Sequence, residues 1–145
     1  MWFRRHAHQI LSMIFLLAFL FGCSPTGTDL AGTEWELVSL DGKGPIEGTV
    51  ITLVFAEEYL GGEMGCNGYG GSSDGGKYRA TSDGTFALDL PLAVTLQLCN
   101  EPEGIMEQED AYIEALKNAI HYRIIGSQLE IENEVGETIL IFKRK

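Results

Sequence analysis

Between Gly61 and Gly76 eight of sixteen residues are glycine, and a chain with such a stretch at its centre is confined to folds that bend there. A glycine inside a helix or strand gives up side-chain packing and loses more backbone entropy than any other residue. The stretch therefore argues against a helical bundle and for a domain rich in β-turns and bulges. It reads as a bulged strand over Tyr59–Asn67 followed by a loop over Gly68–Gly76. A phosphate-cradling loop is a poor reading, because Gly-Lys-Ser/Thr is missing and no helix follows to lend its dipole.

The flanking segments alternate as strands do. Trp35 and Leu37 alternate with Glu34 and Glu36 and end at the turn Asp41-Gly42. Thr49–Ala56 is a denser run with Ile51, Leu53 and Phe55 on one face, and Lys77–Thr81 and Thr85–Leu90 flank the turn Ser82-Asp83-Gly84. Ala93–Leu98 is a further extended segment after Pro91. One helix stands out: Ile105, Glu109, Tyr112, Ile113, Leu116 and Ile120 recur at spacings of three and four, starting near Asn100 or Glu101 and ending near Ile120. Tyr122–Ile125, Gln128–Glu132 and Glu137–Lys143 then form a meander across two short turns. The fold class is α+β: a curved antiparallel β-sheet of six to eight strands, a partly open barrel or roll, with one amphipathic helix packed across its concave side.

Residues 1–22 stand apart from that domain. Arg4 and Arg5 precede a stretch from Ile10 to Phe21 in which Ser12 alone is not apolar. Twelve residues at 1.5 Å each are too short for a bilayer core of about 30 Å but suit an export signal. Leu20-Phe21-Gly22-Cys23 resembles a bacterial lipobox, which places lipid on Cys23 and cleavage before it. Acyl chains bury about 0.8 kcal/mol per CH₂, so two or three would hold the domain on a membrane surface. Cys23 to residue 31 reads as the lipidated cysteine and a flexible tether, and 32–145 as the domain. Cleavage leaves 145 − 22 = 123 residues, with 8 basic and 21 acidic side chains and a net charge of −13. That acidity argues against nucleic acid as a partner, since phosphate binding needs a basic face.

Few residues are equipped for catalysis. His121 is the one histidine left after cleavage, which excludes a histidine-based metal cluster and leaves a single candidate base. Cys66 and Cys99 remain once Cys23 is used; in an exported protein they pair or stay as two buried thiols, pairing being the commoner outcome. Glu101, Glu103, Glu107, Glu109 and Asp110 match no EF-hand loop and read as a solvated helix face. No motif asks for a cofactor or metal. Trp35, Phe55, Tyr69 and Tyr112 either line an apolar groove in the concave sheet or pack as core.

Several stretches together resemble the META domain family, the HslJ-like heat-shock lipoproteins. They are Gly32-Thr33-Glu34-Trp35-Glu36-Leu37, then Gly65-Cys66-Asn67-Gly68-Tyr69-Gly70-Gly71-Ser72, then Thr95-Leu96-Gln97-Leu98-Cys99, and Met106-Glu107-Gln108-Glu109-Asp110-Ala111-Tyr112. The motif residues are Gly65, Cys66, Asn67, Thr95, Cys99, Met106, Glu107 and Glu109. Where members commonly carry Arg after Gly-Cys-Asn, this chain has Gly68. The resemblance implies a curved antiparallel sheet with a helix in a non-enzymatic, monomeric envelope protein linked to stress and drug tolerance. It also implies a partner in the envelope, or an apolar ligand held as pilot lipoproteins hold acyl chains. It offers no catalytic residues.

Overall fold

A computed structural model of the chain describes residues 30–73 and 75–145, so the leader, Cys23 and most of the tether lie outside the described residues. The alternating segments become β1 (Thr33–Leu40), β2 (Thr52–Phe55), β3 (Leu60–Glu63), β4 (Gly68–Gly70), β5 (Tyr78–Ala80), β6 (Phe86–Leu88) and β7 (Ala93–Val94). The helix α1 (Ile105–Lys117) follows, and β8 (His121–Ile125), β9 (Gln128–Glu132) and β10 (Thr138–Arg144) complete the chain. Eight strands form one antiparallel sheet in the order β7-β4-β3-β2-β1-β10-β9-β8, which is not closed, and β5 and β6 form a separate hairpin. The sheet ends at β7 on one side and β8 on the other.

The inward-facing residues of the strands make the core. Trp35, Leu53, Phe55, Leu129, Ile131, Leu140 and Phe142 are fully buried, while Glu36, partnered in register with Lys143, sits on the outer face and pairs with it at 2.8 Å. The helix lays Tyr112 and Leu116 over this face, with the Tyr112 ring 6.4 Å edge-on from Phe142 and 5.5 Å from Tyr69. The β5–β6 hairpin closes the other end through Tyr78 and Phe86, which pack on Phe55 at 4.9 and 6.3 Å. Its backbone reaches both sides of the gap: the Tyr78 N–H donates to the Glu58 carbonyl at 3.2 Å and the Phe86 N–H to the Ile120 carbonyl at 2.7 Å. Beside the latter, the Tyr122 N–H donates to the Gly84 carbonyl at 2.8 Å.

The glycine-rich stretch differs from its expected form. It is a hairpin of β3 and β4 around Met64–Asn67, not a single bulged strand and a loop. Its glycines permit close approach: a Cβ on Gly62 would lie 2.1 Å from the Thr52 carbonyl oxygen, and one on Gly61 2.8 Å from that of Tyr69. Glycine there lets β3 sit against its neighbours where any side chain would force them apart.

The helix is shorter at both ends than its periodicity predicts. Gly104, at φ 85°, turns the chain just before Ile105, which moves the start past Asn100 and Glu101. At the other end Asn118 caps Lys117, with its N–H bonded back to Glu114 and Ala115, so Ile120 is past the helix and exposed. The domain also begins earlier than position 32: Leu30 is 2% exposed, and the Thr33 N–H bonds to its carbonyl at 3.1 Å. Leu30 and Ala31 thus belong to the fold and not to the tether. No helix among the described residues is long and apolar enough to cross a membrane.

Two buried phenols join the helix to the sheet. The Tyr69 hydroxyl donates to the Thr52 carbonyl at 2.9 Å, so the Tyr112 hydroxyl, 2.7 Å away, must donate to Tyr69. Burial pushes both phenols well above their ordinary range, and both stay neutral at physiological pH. The chain of donors makes the pair asymmetric. Tyr69→Phe strands the Thr52 carbonyl and the Tyr112 hydroxyl and should cost about 1–3 kcal/mol, whereas Tyr112→Phe removes one donor and should cost about 1 kcal/mol. Urea unfolding of the two variants checks the order, and equal losses would contradict the assigned donor direction.

Candidate functional site

The helix carries two consecutive polar residues into the core, and each ties down a separate loop. Gln108 accepts the Ile46 N–H at 2.6 Å and donates to the Thr49 hydroxyl at 3.1 Å. Glu109, 3% exposed, accepts through Oε1 the N–H groups of Cys66 at 2.7 Å and Asn67 at 2.6 Å, and through Oε2 the Asn67 amide at 2.8 Å. Three charge-assisted bonds from fixed donors satisfy a carboxylate that would otherwise be costly to bury. Glu109 is therefore not part of a solvated acidic face, although Glu107 and Asp110 beside it are exposed.

Asn67 passes the order on. Its Oδ1 accepts the Gln97 N–H at 2.7 Å and the Thr95 hydroxyl at 2.9 Å, and its Nδ2 also donates to the Gln97 carbonyl at 3.0 Å. The Gly68 N–H in turn donates to the Thr95 hydroxyl at 3.1 Å. Cys66 and Cys99 are bonded as a disulfide, with Cα atoms 6.1 Å apart and a sequence separation of 33. Gly65, at φ 111°, makes the turn possible, and a Cβ there would press on Ile105 and Thr49 at 3.4 Å. One connected network thus holds the strap 95–99 to the turn 64–67 and both to α1.

The strap borders a groove of about 520 Å³ between the sheet edge and the helix. Its walls are Val94, Leu96 and Leu98 on one side and Met106, Asp110, Ile113, Glu114 and Lys117 on the other, with Met64, Asn67 and Glu109 at its base. Leu96 and Leu98 are 94% and 89% exposed. A second groove of about 510 Å³ beyond the helix is bordered by Ile120, Asn133 and Val135.

Of the residues singled out in the sequence, Gly65, Cys66, Asn67, Thr95, Cys99 and Glu109 meet in the network, Met106 lines the groove, and Glu107 joins neither. Trp35, Phe55, Tyr69 and Tyr112 are buried core residues. They line no open groove, because the helix lies over that face of the sheet and Tyr112 fills the space above Tyr69. His121 is exposed at the start of β8, paired in register with Glu132. Cys66 and Cys99 hold no thiol while joined. Among the described residues no group of three or more His, Cys, Asp or Glu is placed to hold a metal ion. Gln108 and the strap leucines escaped the sequence reading. The period-two spacing of Val94, Leu96 and Leu98 was the one available signal, and it describes a strand without saying what covers it.

This arrangement agrees with what the sequence matches, which is the META domain over residues 28–145. The chain belongs to the META domain family. Its fold is similar to the NMR structure of a protein from Burkholderia xenovorans, at 28% identity and TM-score 0.57 over 80% of this chain and 83% of that one. A second NMR structure, at 23% identity and TM-score 0.57, covers 77% of this chain and 88% of that one and supports the fold alone. No curated protein sequence is significantly similar to the chain. Within the matched span, Cys66, Asn67, Thr95, Cys99 and Glu109 bind the turn, the strap and the helix together.

Loss of the Glu109 carboxylate should be felt across the whole network. Glu109→Ala leaves the Cys66 and Asn67 N–H groups unpaired at about 1–3 kcal/mol each, and Glu109→Gln sets an amide against the Asn67 amide donor. Chemical denaturation should rank the variants alanine, glutamine, wild type in rising stability. A Glu109→Ala protein as stable as wild type would refute the assignment. Cys66→Ser with Cys99→Ser should lose about 3–4 kcal/mol, as expected for opening a loop of 33 residues. Comparing wild type and the double variant by thermal unfolding, with and without reductant, checks it; a reductant-insensitive wild type would count against the bond.

Proposed function

We propose that this META domain protein is a lipid-anchored, non-enzymatic component of the bacterial cell envelope. It supports envelope integrity, or stress and drug tolerance, by binding a protein or an apolar ligand. The observation that carries the binding role is the groove beside Leu96 and Leu98: two leucines stand in water at 94% and 89% exposure on a strap that a disulfide and the side chains of Asn67, Thr95 and Glu109 hold in place. Soluble domains rarely spend that much order on exposed apolar surface without a binding purpose.

Anchoring is read from Leu20-Phe21-Gly22-Cys23, and an outer-membrane or periplasmic-side position from Ser24 after the cysteine. A net charge of −11 argues for acyl chains and against basic side chains as the means of membrane attachment. The non-enzymatic reading is favoured by the joined cysteines and by the exposed, strand-paired position of His121. A second reading, a module for a small apolar molecule or acyl chain, is favoured by the apolar residues Met64, Val94, Met106 and Ile113 in the same groove. Cells fed an alkyne analogue of palmitate should label the wild-type chain and leave Cys23→Ala unlabelled. An unlabelled wild type would remove the anchoring claim.

A further inference from the structure

We propose that the outer edge of β7 and the groove beside it dock an extended, basic, amphipathic polypeptide segment, which adds to the sheet as a further strand. The inference rests on the binding role above and names its partner class. It begins with the backbone. The Thr95 N–H turns inward to the Gly68 carbonyl at 3.0 Å, and Ala93 and Val94 pair with Gly70 and Tyr69. The alternation of an extended strand then turns the N–H groups of Val94 and Leu96 outward, where neither has a hydrogen-bond partner among the described residues. The far edge of the sheet differs: β8 is covered at its start by the hairpin, through Phe86, Gly84 and the Thr85–His121 bridge. An uncovered edge is a template for another chain, and soluble proteins commonly block theirs.

The side chains agree with the backbone. The same alternation puts Val94, Leu96 and Leu98 on one face, where they border the groove opposite Met106 and Ile113. A strand laid along β7 would bury the two leucines and set its own alternate side chains against the helix. Order is already in place for it: Asn67 holds both the N–H and the carbonyl of Gln97, and Cys99 is fixed to Cys66. A preformed edge spares a partner the entropy of ordering it.

Charge selects the occupant. Exposed Asp110 and Glu114 line the groove and Glu107 flanks them, while Lys117, its one base, is already paired with Glu114 at 3.4 Å. Glu63, beside Gly68, has no ion pair among the described residues. A second copy of this chain would bring the same acids, and a fatty acid a further carboxylate; a segment with apolar residues alternating with Lys or Arg is complementary to both wall and rim.

The test titrates full-length lipidated protein in neutral detergent against a fluorescein-labelled heptapeptide alternating Lys with Val, and against its counterpart alternating Glu with Val. Anisotropy should give binding of the basic peptide at least ~10-fold tighter than the acidic one, weakening as salt screens the acids. Leu96→Ser, at a side chain 94% exposed, should weaken it at least ~10-fold. Amide exchange should slow at Val94 and Leu96 on binding. Equal affinity for the two peptides, an unaffected Leu96→Ser, or unchanged exchange at those amides would each overturn the proposal, as would a concentration-dependent dimer that protects them without peptide. Palmitate binding in the groove with no peptide binding overturns the inference yet leaves the apolar-ligand role standing, and failed labelling of Cys23 bears on anchoring alone.

Discussion

The carboxylate of Glu109 is the interaction from which the ordered surface of this domain follows. A helix packed on a sheet usually presents apolar residues to it, and Tyr112 and Leu116 do so here. At Glu109 the helix instead inserts an anion and meets three donors from one turn of a hairpin. Because the Cys66 and Asn67 N–H groups are backbone groups, their direction is fixed by the turn, and the turn is fixed by Gly65 at φ 111°. The Asn67 side chain then has one orientation that satisfies the carboxylate, and that orientation leaves its oxygen aimed at Thr95 and Gln97. Order thus passes from helix to turn to strap by hydrogen-bond direction, with the disulfide as a covalent parallel.

The same network accounts for the uneven treatment of the two sheet edges. On the β8 side, the hairpin fills the opening with Tyr78 and Phe86 packed on Phe55 and hydrogen bonds to Ile120 and Tyr122. On the β7 side the backbone bonds stop after Thr95, and the strap continues on side-chain bonds to Asn67. Side chains do inwardly what a strand would do, and the outward groups are left open. Like charge, −11 on each full-length chain, opposes pairing of such an edge with a second copy.

Much of the fold was legible in the residues, and the failures have physical causes. Period-two alternation located β1, β2, β9 and β10, and the three-four spacing located α1. The glycine stretch was misread because glycine lowers strand stability as a side chain but raises it where two backbones must touch, as at Gly62 and Thr52. The helix ends depended on Gly104 and Asn118, whose backbone angles follow from the segments they join. Whether the four aromatics are core or groove lining was open in the sequence, and their burial makes them core. Gly68, where the family resemblance leads one to expect Arg, lies 3.4 Å in Cβ projection from the Glu63 carboxylate. An arginine at 68 would begin beside that acid, which here is exposed and has no ion pair among the described residues.

Composition and alternation by themselves determined an acidic α+β fold with an antiparallel sheet and one helix, and the quoted stretches carried its resemblance to the META domain. These properties depend on local periodicity and on residue identity, and both are written along the chain. The tertiary structure alone decided that Cys66 and Cys99 are joined, that Glu109 is an internal anchor, and that Leu96 and Leu98 face water beside an open strand. Each depends on which distant segment arrives opposite, and hydrophobicity is the same for a leucine that is covered and one that is left for a partner.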